Sequence, residues 1–305
     1  MAGQTSSKLK YSRRKMTGRF TAVAFFLPFA ALFIMFTVVP IISALLYSLT
    51  NYSAIQSPLL VWFRNYAYMF TQDDVFLTAV SNTFTFAVIS GAAGYFMSFI
   101  VAWLINGVKM KTFFALAFYA PSITSGVAIS VVWLYFFSPD QYGFINDRLM
   151  QFGLTDKPFL FTQNPSLIVV VIVIVSVWMG MGNGFLGFLA GFQNLSNEIF
   201  EAGKIDGVHN KFQELVYLVL PQMKPMLLFG AVTSVVSAFS IYDVPLTLAG
   251  SPGPENASLT LVGHINDYAF VRYDFGYASA VAVFLFLVTF AAGRILFRVL
   301  GSDDE

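Results

Sequence analysis

The chain has 305 residues, of which 57% are hydrophobic and 11% charged, and its formal net charge is +1. This composition is far from that of a soluble domain, and the near-zero charge gives no support for a nucleic-acid partner, which would need a basic face. The sequence contains no cysteine, which excludes disulfides, thiolate metal sites and cysteine nucleophiles. Membrane lipid is therefore the expected surrounding of most of the chain.

The chain begins with a basic segment, residues 1–20, which precedes a long apolar run. That run exceeds the length of a signal-peptide core and no small-residue cleavage pattern closes it, so we expect a retained membrane helix. A hydrocarbon core of about 30 Å requires roughly 20 apolar residues in a helix. Six runs of this kind occur, at 21–46, 83–105, 113–137, 166–192, 226–248 and 275–299. Because they are continuous, they favour helices over barrel strands, which alternate apolar and polar residues.

Basic residues between the spans indicate the orientation. If the N-terminus is cytoplasmic, only four of the 17 lysines and arginines lie outside, namely Arg64, Arg148, Lys157 and Arg272. This bias agrees with the positive-inside rule. The sequence therefore predicts an all-α membrane protein with six transmembrane helices and both termini in the cytoplasm. We divide it into the cytoplasmic basic segment 1–20, one membrane domain 21–299 and an acidic tail 300–305, since no stretch outside the membrane is long enough for its own core.

The spans give little support for a carrier driven by protons or sodium ions. Such a carrier places ionisable residues near the bilayer centre, and the second, third and fourth predicted spans contain none. Asp243 lies toward the outer end of the fifth span, and Arg294 and Arg298 can extend to the cytoplasmic surface. No G-x-x-x-x-G-K-[ST] phosphate loop occurs in the sequence, so the chain does not bind ATP by that route. A partner would have to supply the energy.

The longest inside loop, 194–225, is the place to expect that partner. Ser196 stands as an N-cap before a helical stretch whose apolar side would hold Ile199, Phe200 and Ile205. Gly207 can adopt the positive φ that ends one helix before the next begins. Helical spacing then recurs until Pro221 ends it, at Phe212, Leu215, Val216 and Val219. The loop is predicted to form two short amphipathic helices joined at a glycine; an interfacial hairpin without a partner is the alternative.

Three steps within this loop resemble a known motif. Glu201-Ala202, Asp206-Gly207 and Leu220-Pro221 are similar to the EAA motif of binding-protein-dependent ABC transporter permeases, which reads roughly E-A-A-x-x-x-G followed by I-x-L-P. This chain departs from the pattern by one extra residue before Leu220-Pro221 and by two replacements of alanine, at Gly203 and Val208. The resemblance implies coupling helices seated in a cleft on an ATPase subunit, where Glu201 would pair with a basic residue. The coupling residues would be Glu201, Ala202, Gly203, Asp206, Gly207, Leu220 and Pro221.

Shorter matches along the chain resemble the maltose-type carbohydrate branch of that family. They are Arg64-Asn65-Tyr66, Asn82-Thr83, the run 142–146, and Leu246-Thr247 leading to a T-x-G-G-P-like turn at 250–253. The resemblance implies the type I ABC importer permease fold and alternating access in the bacterial cytoplasmic (inner) membrane. The implied cargo is a carbohydrate, preferentially an oligosaccharide, or less often a glycerol phosphate. The implied partners are a second homologous permease subunit, two ATPase subunits that bind ATP and Mg, and an extracytoplasmic solute-binding protein. No cofactor, metal or catalytic residue is expected in this chain, which would not be an enzyme.

A substrate path is suggested by the fifth span, where Thr233, Ser237 and Ser240 share one helical face. Hydroxyls could replace the hydrogen bonds that a sugar loses on leaving water. By resemblance these three sites match polar positions of the maltose-type fifth core helix, and Gly180 and Asn183 match positions that line its cavity. Trp178 and Tyr242 could stack on sugar rings. Helix packing and hydroxyls bonded to their own backbone are the alternatives.

Two other functions stay open at this point. An ion-coupled secondary carrier or channel would transport without ATP. A structural membrane assembly protein would bind no solute and would tolerate substitution at Glu201 and Gly207. The sequence does not identify which sugar is transported.

Overall fold

The computed structural model describes residues 23–301. The basic segment 1–20 and residues 302–305 of the acidic tail lie outside this range. In chain order the helices are α1 (Val23–Tyr47), α2 (Arg64–Thr71), α3 (Asp74–Asn106), α4 (Lys111–Ile123), α5 (Gly126–Phe136), α6 (Phe144–Gln151), α7 (Pro165–Gln193), α8 (Asn197–Ile205), α9 (Lys211–Gln213, Glu214–Val219 and Leu220–Gln222), α10 (Lys224–Phe239), α11 (Asp243–Ala249), α12 (Leu261–Asn266) and α13 (Phe275–Gly301). Within the described residues the only β contacts are two isolated bridges.

The apolar helices agree with the predicted membrane spans. Five helical stretches are long and apolar enough to cross a bilayer, counting α10 with α11 as one, and the total is six if the bent pair α4 and α5 forms one span. All six predicted runs therefore fall on helices. The all-helical membrane fold predicted from the sequence is confirmed.

Two spans differ from their predicted form. The second begins at Asp74 rather than residue 83, because the side chain of Asp73 caps it by accepting a hydrogen bond from the Phe76 N–H at 2.9 Å. The third, predicted as continuous, is bent by 99° between α4 and α5. Pro121 lies in the last turn of α4 and Thr124 is extended (φ −84°, ψ 144°), so the backbone leaves the helix there and starts again at Gly126.

Helices α3 and α7 form the centre of the bundle, with α10 packed against both. Small residues allow this close approach, as in other membrane helix pairs. A Cβ atom at Gly230 would lie 2.7 Å from Cζ of Phe188, and the Phe188 ring packs edge-on against Phe99 at 5.4 Å between centroids. This part of the core is thus a cluster of phenylalanine rings, with Phe188 packed against Gly230.

A buried polar cluster fixes the outer ends of three helices. Asp73, before α3, accepts hydrogen bonds at Oδ2 from the Tyr277 hydroxyl of α13 at 2.7 Å and from His264 Nε2 of α12 at 3.0 Å. Burial lowers the pKa of His264. Burial raises the pKa of Asp73, but hydrogen bonds from Tyr277 and the Phe76 N–H outweigh it and hold that pKa below its usual value. The pair is therefore a neutral imidazole against a carboxylate.

Candidate functional site

The loop 194–225, named here the coupling segment, contains the two helices that its sequence predicts. Helix α8 begins after Ser196, although the Ser196 hydroxyl makes no capping hydrogen bond, and Gly207 has the predicted positive φ of 92°. The cap of the second helix was missed from the sequence. It is Asn210, whose Oδ1 accepts from the Gln213 N–H at 2.7 Å, and the signal was an asparagine three residues before a glutamine.

Helix α9 accommodates the extra residue that separates Gly207 from Leu220-Pro221. Its middle part, Glu214–Val219, is π-helical, and a π turn holds more residues than an α turn, so an inserted residue widens the helix without shifting its ends. The widening changes which side chains share a face. Val219 is buried, whereas Phe212 and Val216, predicted to lie on the same face, are exposed. Pro221 does not end the helix, which continues to Gln222.

Helices α8 and α9 touch at Gly203, the position where the motif has alanine. Gly203 is buried, and a Cβ atom there would lie 2.6 Å from Cδ1 of Leu218. Glycine at this position therefore allows the two helices to pack side by side. The coupling segment is a compact unit and not a pair of independent helices.

The other residues of the motif-like pattern face outward. Glu201, Ala202, Asp206, Gly207 and Pro221 are exposed and Leu220 is half-buried. Ile205, predicted to lie on the apolar side of α8, is instead 88% exposed, because α8 ends there and its packing contact is made by Phe200. Phe212 and Tyr217 are also exposed. The coupling segment thus exposes both acidic and apolar side chains, a combination suited to a protein partner.

A cavity of about 620 Å³ lies between α3, α7 and α10. Of the residues that the sequence assigned to a substrate path, Gly180, Thr233 and Ser237 line it, whereas Ser240 and Tyr242 do not. Helix α10 ends at Phe239, and the Ser240 hydroxyl donates to the Val236 carbonyl at 2.9 Å. The side chain of Asn183 lies outside the described part of the chain. Glycines and hydroxyls make up much of the wall, at Ser90, Gly91, Gly94, Tyr95, Ser98, Ser176, Gly184, Gly187, Gly230 and Ser234.

Most hydroxyls of this cavity donate to backbone carbonyls. Thr233 donates to the carbonyls of Phe229 and Gly230 at 2.9 and 3.1 Å, and Ser234 donates across to Gly91 at 2.9 Å. Such oxygens keep lone pairs that can accept a further hydrogen bond. The wall of the cavity is consequently richer in acceptors than in free donors.

Ser176 is the buried exception, and the sequence analysis did not single it out. Its Oγ is buried and has no hydrogen-bond partner, although the residue lines the cavity. A buried hydroxyl without a partner costs about 1–3 kcal/mol. The signal available in the sequence was one serine within the apolar run of α7. Its donor could be satisfied by a molecule in the cavity.

No charged side chain lines the cavity among the described residues. Within residues 23–301 no group of three or more His, Asp or Glu side chains is placed to hold a metal ion. Trp178, considered for sugar stacking, packs edge-on against Trp133 at 5.3 Å between centroids. Neither tryptophan lines the cavity.

Known proteins similar to this chain are transport permeases. The probable ABC transporter permease protein YesP of Bacillus subtilis (strain 168) is 32% identical over 302 residues, which are 98% of this chain and 96% of YesP. The arabinooligosaccharides transport system permease protein AraP of the same organism is 25% identical over 309 residues, covering 96% of this chain and 91% of AraP.

A solved structure has the same fold. A chain of the bacterial alginate ABC transporter, in complex with alginate pentasaccharide-bound periplasmic protein, superposes with a TM-score of 0.80 at 19% sequence identity, over 93% of this chain and 94% of that chain. Residues 94–302 match the family described as binding-protein-dependent transport system inner membrane component. That match includes α7, the coupling segment and most of the cavity wall. The chain therefore belongs to the family of binding-protein-dependent transport system inner membrane components and is a multi-pass permease subunit, not an enzyme.

Proposed function

We propose that this chain passes a carbohydrate, preferentially an oligosaccharide, across the bacterial cytoplasmic membrane through the cavity between α3, α7 and α10. The observation that carries the proposal is a wall of serine, threonine and glycine residues that contains no charged side chain among those described. A neutral, hydroxyl-rich solute suits such a wall, because each hydroxyl stripped of water must find a new hydrogen bond. AraP, a relative over most of the chain, is named for arabinooligosaccharides.

The cavity offers both hydrogen-bond acceptors and a hydrogen-bond donor. Thr233 and Ser234 present acceptor lone pairs, whereas Ser176 has an unused donor. Sugar hydroxyls donate and accept, so they complement both kinds of group. The rings of Tyr95 and Phe229, which also line the cavity and are not buried, offer apolar surface for the C–H faces of a pyranose.

We assign the driving force to separate ATPase subunits, which would bind ATP and Mg. Glu201, Asp206 and the exposed Ile205 form the surface that would enter a cleft on such a subunit. Since α8 and α9 are in contact at Gly203 and Leu218, force applied to one helix is transmitted to the other. Helix α10 follows directly after α9 and therefore connects the coupling segment to the cavity wall.

Two further partners belong to the proposal. A second homologous permease subunit would close the open side of the cavity, and α1, which has no buried residue, leaves a free apolar surface for it. An extracytoplasmic solute-binding protein would deliver the sugar to the outer loops. The related alginate transporter structure includes a periplasmic protein of this kind.

Uptake assays test this function. The chain, purified with its associated subunits and reconstituted in liposomes with the binding protein, should take up an oligosaccharide only when ATP is present. Glu201→Lys should abolish uptake without loss of membrane insertion, because the side chain is exposed. Asp156→Lys, at an exposed position of an outer loop, is the control for charge reversal and should transport normally. Uptake that persists without ATP and is lost on adding a proton or sodium ionophore would indicate a secondary carrier instead.

A further inference from the structure

A second groove, separate from the translocation cavity, runs between α10 and α13. Its volume is about 1060 Å³. One wall carries Val232 and Val236 of α10, and the other is formed by α13, through Phe286, Thr289, Phe290, Gly293, Arg294, Phe297, Arg298 and Gly301. A Cβ atom at Gly293 would meet nothing within 4 Å. Gly293 is therefore an open floor over which a chain of methylene groups could lie.

The charge of this groove is concentrated at one end. Arg294 and Arg298 are four residues apart on α13, so both guanidinium groups lie on the same helical face. Both are exposed, and in the described part of the chain no ion pair or hydrogen bond joins either of them to another residue. No acidic side chain lines the groove. Its electrostatic complement is an anion.

The position of the groove along α13 matches one leaflet of a membrane. From Phe286 to Gly301 the helix rises roughly 22 Å at 1.5 Å per residue, somewhat more than the roughly 15 Å half-thickness of a hydrocarbon core. In the orientation that the basic residues predict, Phe286 lies near the bilayer centre and Arg298 near the cytoplasmic surface. The groove thus has an apolar part at acyl-chain depth and a cationic end at headgroup depth.

We propose that this groove binds an acidic phospholipid of the cytoplasmic leaflet. One acyl chain lies along Phe286, Phe290 and Gly293, and the phosphate group accepts hydrogen bonds from Arg294 and Arg298. Paired guanidinium groups bind phosphate oxygens through charge-assisted bonds, and basic pockets at the cytoplasmic side of membrane helices attract anionic headgroups. A purely apolar helix of a partner subunit would leave both charges uncompensated, which makes lipid the better occupant.

The lack of cysteine in this chain allows a direct test. In the assembled importer, Gly293→Cys labelled with bimane is titrated with brominated phosphatidylglycerol or brominated phosphatidylcholine, whose bromines quench the fluorophore. We expect phosphatidylglycerol to quench at a mole fraction at least about fivefold lower, since each basic residue near the surface contributes roughly that factor. Ile295→Cys is the matched control, because Ile295 is exposed on the same helix but does not line the groove, and it should show no preference.

Substitution of the arginines completes the test. Arg294→Gln with Arg298→Gln should remove the preference at position 293, and Arg294→Lys with Arg298→Lys should retain most of it. Equal quenching by the two lipids would overturn the proposal. So would protection of position 293 from both lipids together with crosslinking to the second permease, which would identify the groove as a subunit interface. A preference for phosphatidylglycerol that arises only after Asp303, Asp304 and Glu305 are neutralised would mean that the arginines pair with the acidic tail. This result would also overturn the proposal.

Discussion

Leu218 packs directly onto Gly203, with no space between them for a methyl group of ordinary radius. This contact joins the two helices of the coupling segment and explains why the chain has glycine where the motif has alanine. A bulkier residue must push α9 away from α8. Because overpacking of this kind costs about 1–3 kcal/mol, the contact can be tested by stability as well as by transport.

Gly203→Val should lower the thermal stability of the purified importer and reduce ATP-dependent uptake. Ala202→Val is the control for thermal stability, since Ala202 is exposed on the same helix and the change costs only about 0.5 kcal/mol in helix propensity. Scanning fluorimetry is performed on both variants, and uptake is measured on Gly203→Val. Adding Leu218→Ala to Gly203→Val should recover part of the loss. Equal losses of thermal stability at positions 202 and 203 would show that the contact is unimportant.

Gly207→Ala should impair the coupling of ATP hydrolysis to transport, and it should do so only by straining the backbone. Gly207 has φ +92° and nothing lies within 4 Å of an added Cβ atom, so the cost is conformational, about 1–2 kcal/mol. Gly153→Ala is matched in both respects, because Gly153 has φ +67° and the same open space, in an outer loop. Sugar transported per ATP hydrolysed should fall several-fold for position 207 only. Gly207→Pro, which cannot adopt this φ, should abolish uptake with insertion intact.

Ser237→Leu should block the cavity, and Ser240→Leu should not. Both serines are exposed on or next to α10, but only Ser237 lines the cavity. We expect uptake to fall at least about tenfold for Ser237→Leu, because a leucine fills space and offers no hydrogen bond to a sugar. Initial rates of uptake in reconstituted liposomes provide the measurement. The opposite ranking would place the path along the face that contains Ser240.

A comparison of Ser176→Ala with Ser130→Ala distinguishes an effect on protein stability from an effect on sugar uptake. Both hydroxyls are buried without a partner, so removing either should leave the stability unchanged or raise it by up to about 1 kcal/mol. Only Ser176 lines the cavity. A rise in the KM for uptake should therefore accompany Ser176→Ala alone, whereas a destabilised Ser176→Ala variant would mean that the hydroxyl already has a partner in the resting protein.

Acidification should loosen the outer loop held by His264. Burial lowers the pKa of His264 below its ordinary 6.5, so the unfolded loop binds more protons, and loop stability falls as the pH drops below about 6.5. The lowered pKa of Asp73 acts in the same direction, but only below 3.8. Amide hydrogen exchange at residues 259–266, corrected for intrinsic rates, should show faster opening at pH 5.5 than at pH 7.5.

His264→Gln provides the control for this pH effect. Glutamine can still donate a hydrogen bond to Asp73, so the loop should stay in place. It does not titrate in this range, so the pH dependence should be flattened. Arg272 and Asp267 also face the cluster and form an ion pair with each other at 2.7 Å. A pH dependence that persists in His264→Gln would assign it to another group.

The membrane class, the apolar spans and the two helices of the coupling segment could be predicted from the amino-acid sequence. These depend on local features, namely runs of apolar residues long enough for a bilayer, basic residues in alternate loops, and a glycine between two amphipathic stretches. The helix break at Gly207 could be predicted without knowing the neighbours of this residue, since it depends only on a backbone conformation.

Tertiary packing sets where the third span breaks, how α9 accommodates its extra residue and which hydroxyls line the cavity. Thr233, Ser237 and Ser240 are spaced by four and three residues, as on one helical face, yet α10 ends before Ser240 and separates it from the other two. Ser176 and the contact between Gly203 and Leu218 depend on residues distant in the chain. Helical periodicity predicts a face, whereas the neighbour that covers a face, or leaves it open, is set by how the helices pack.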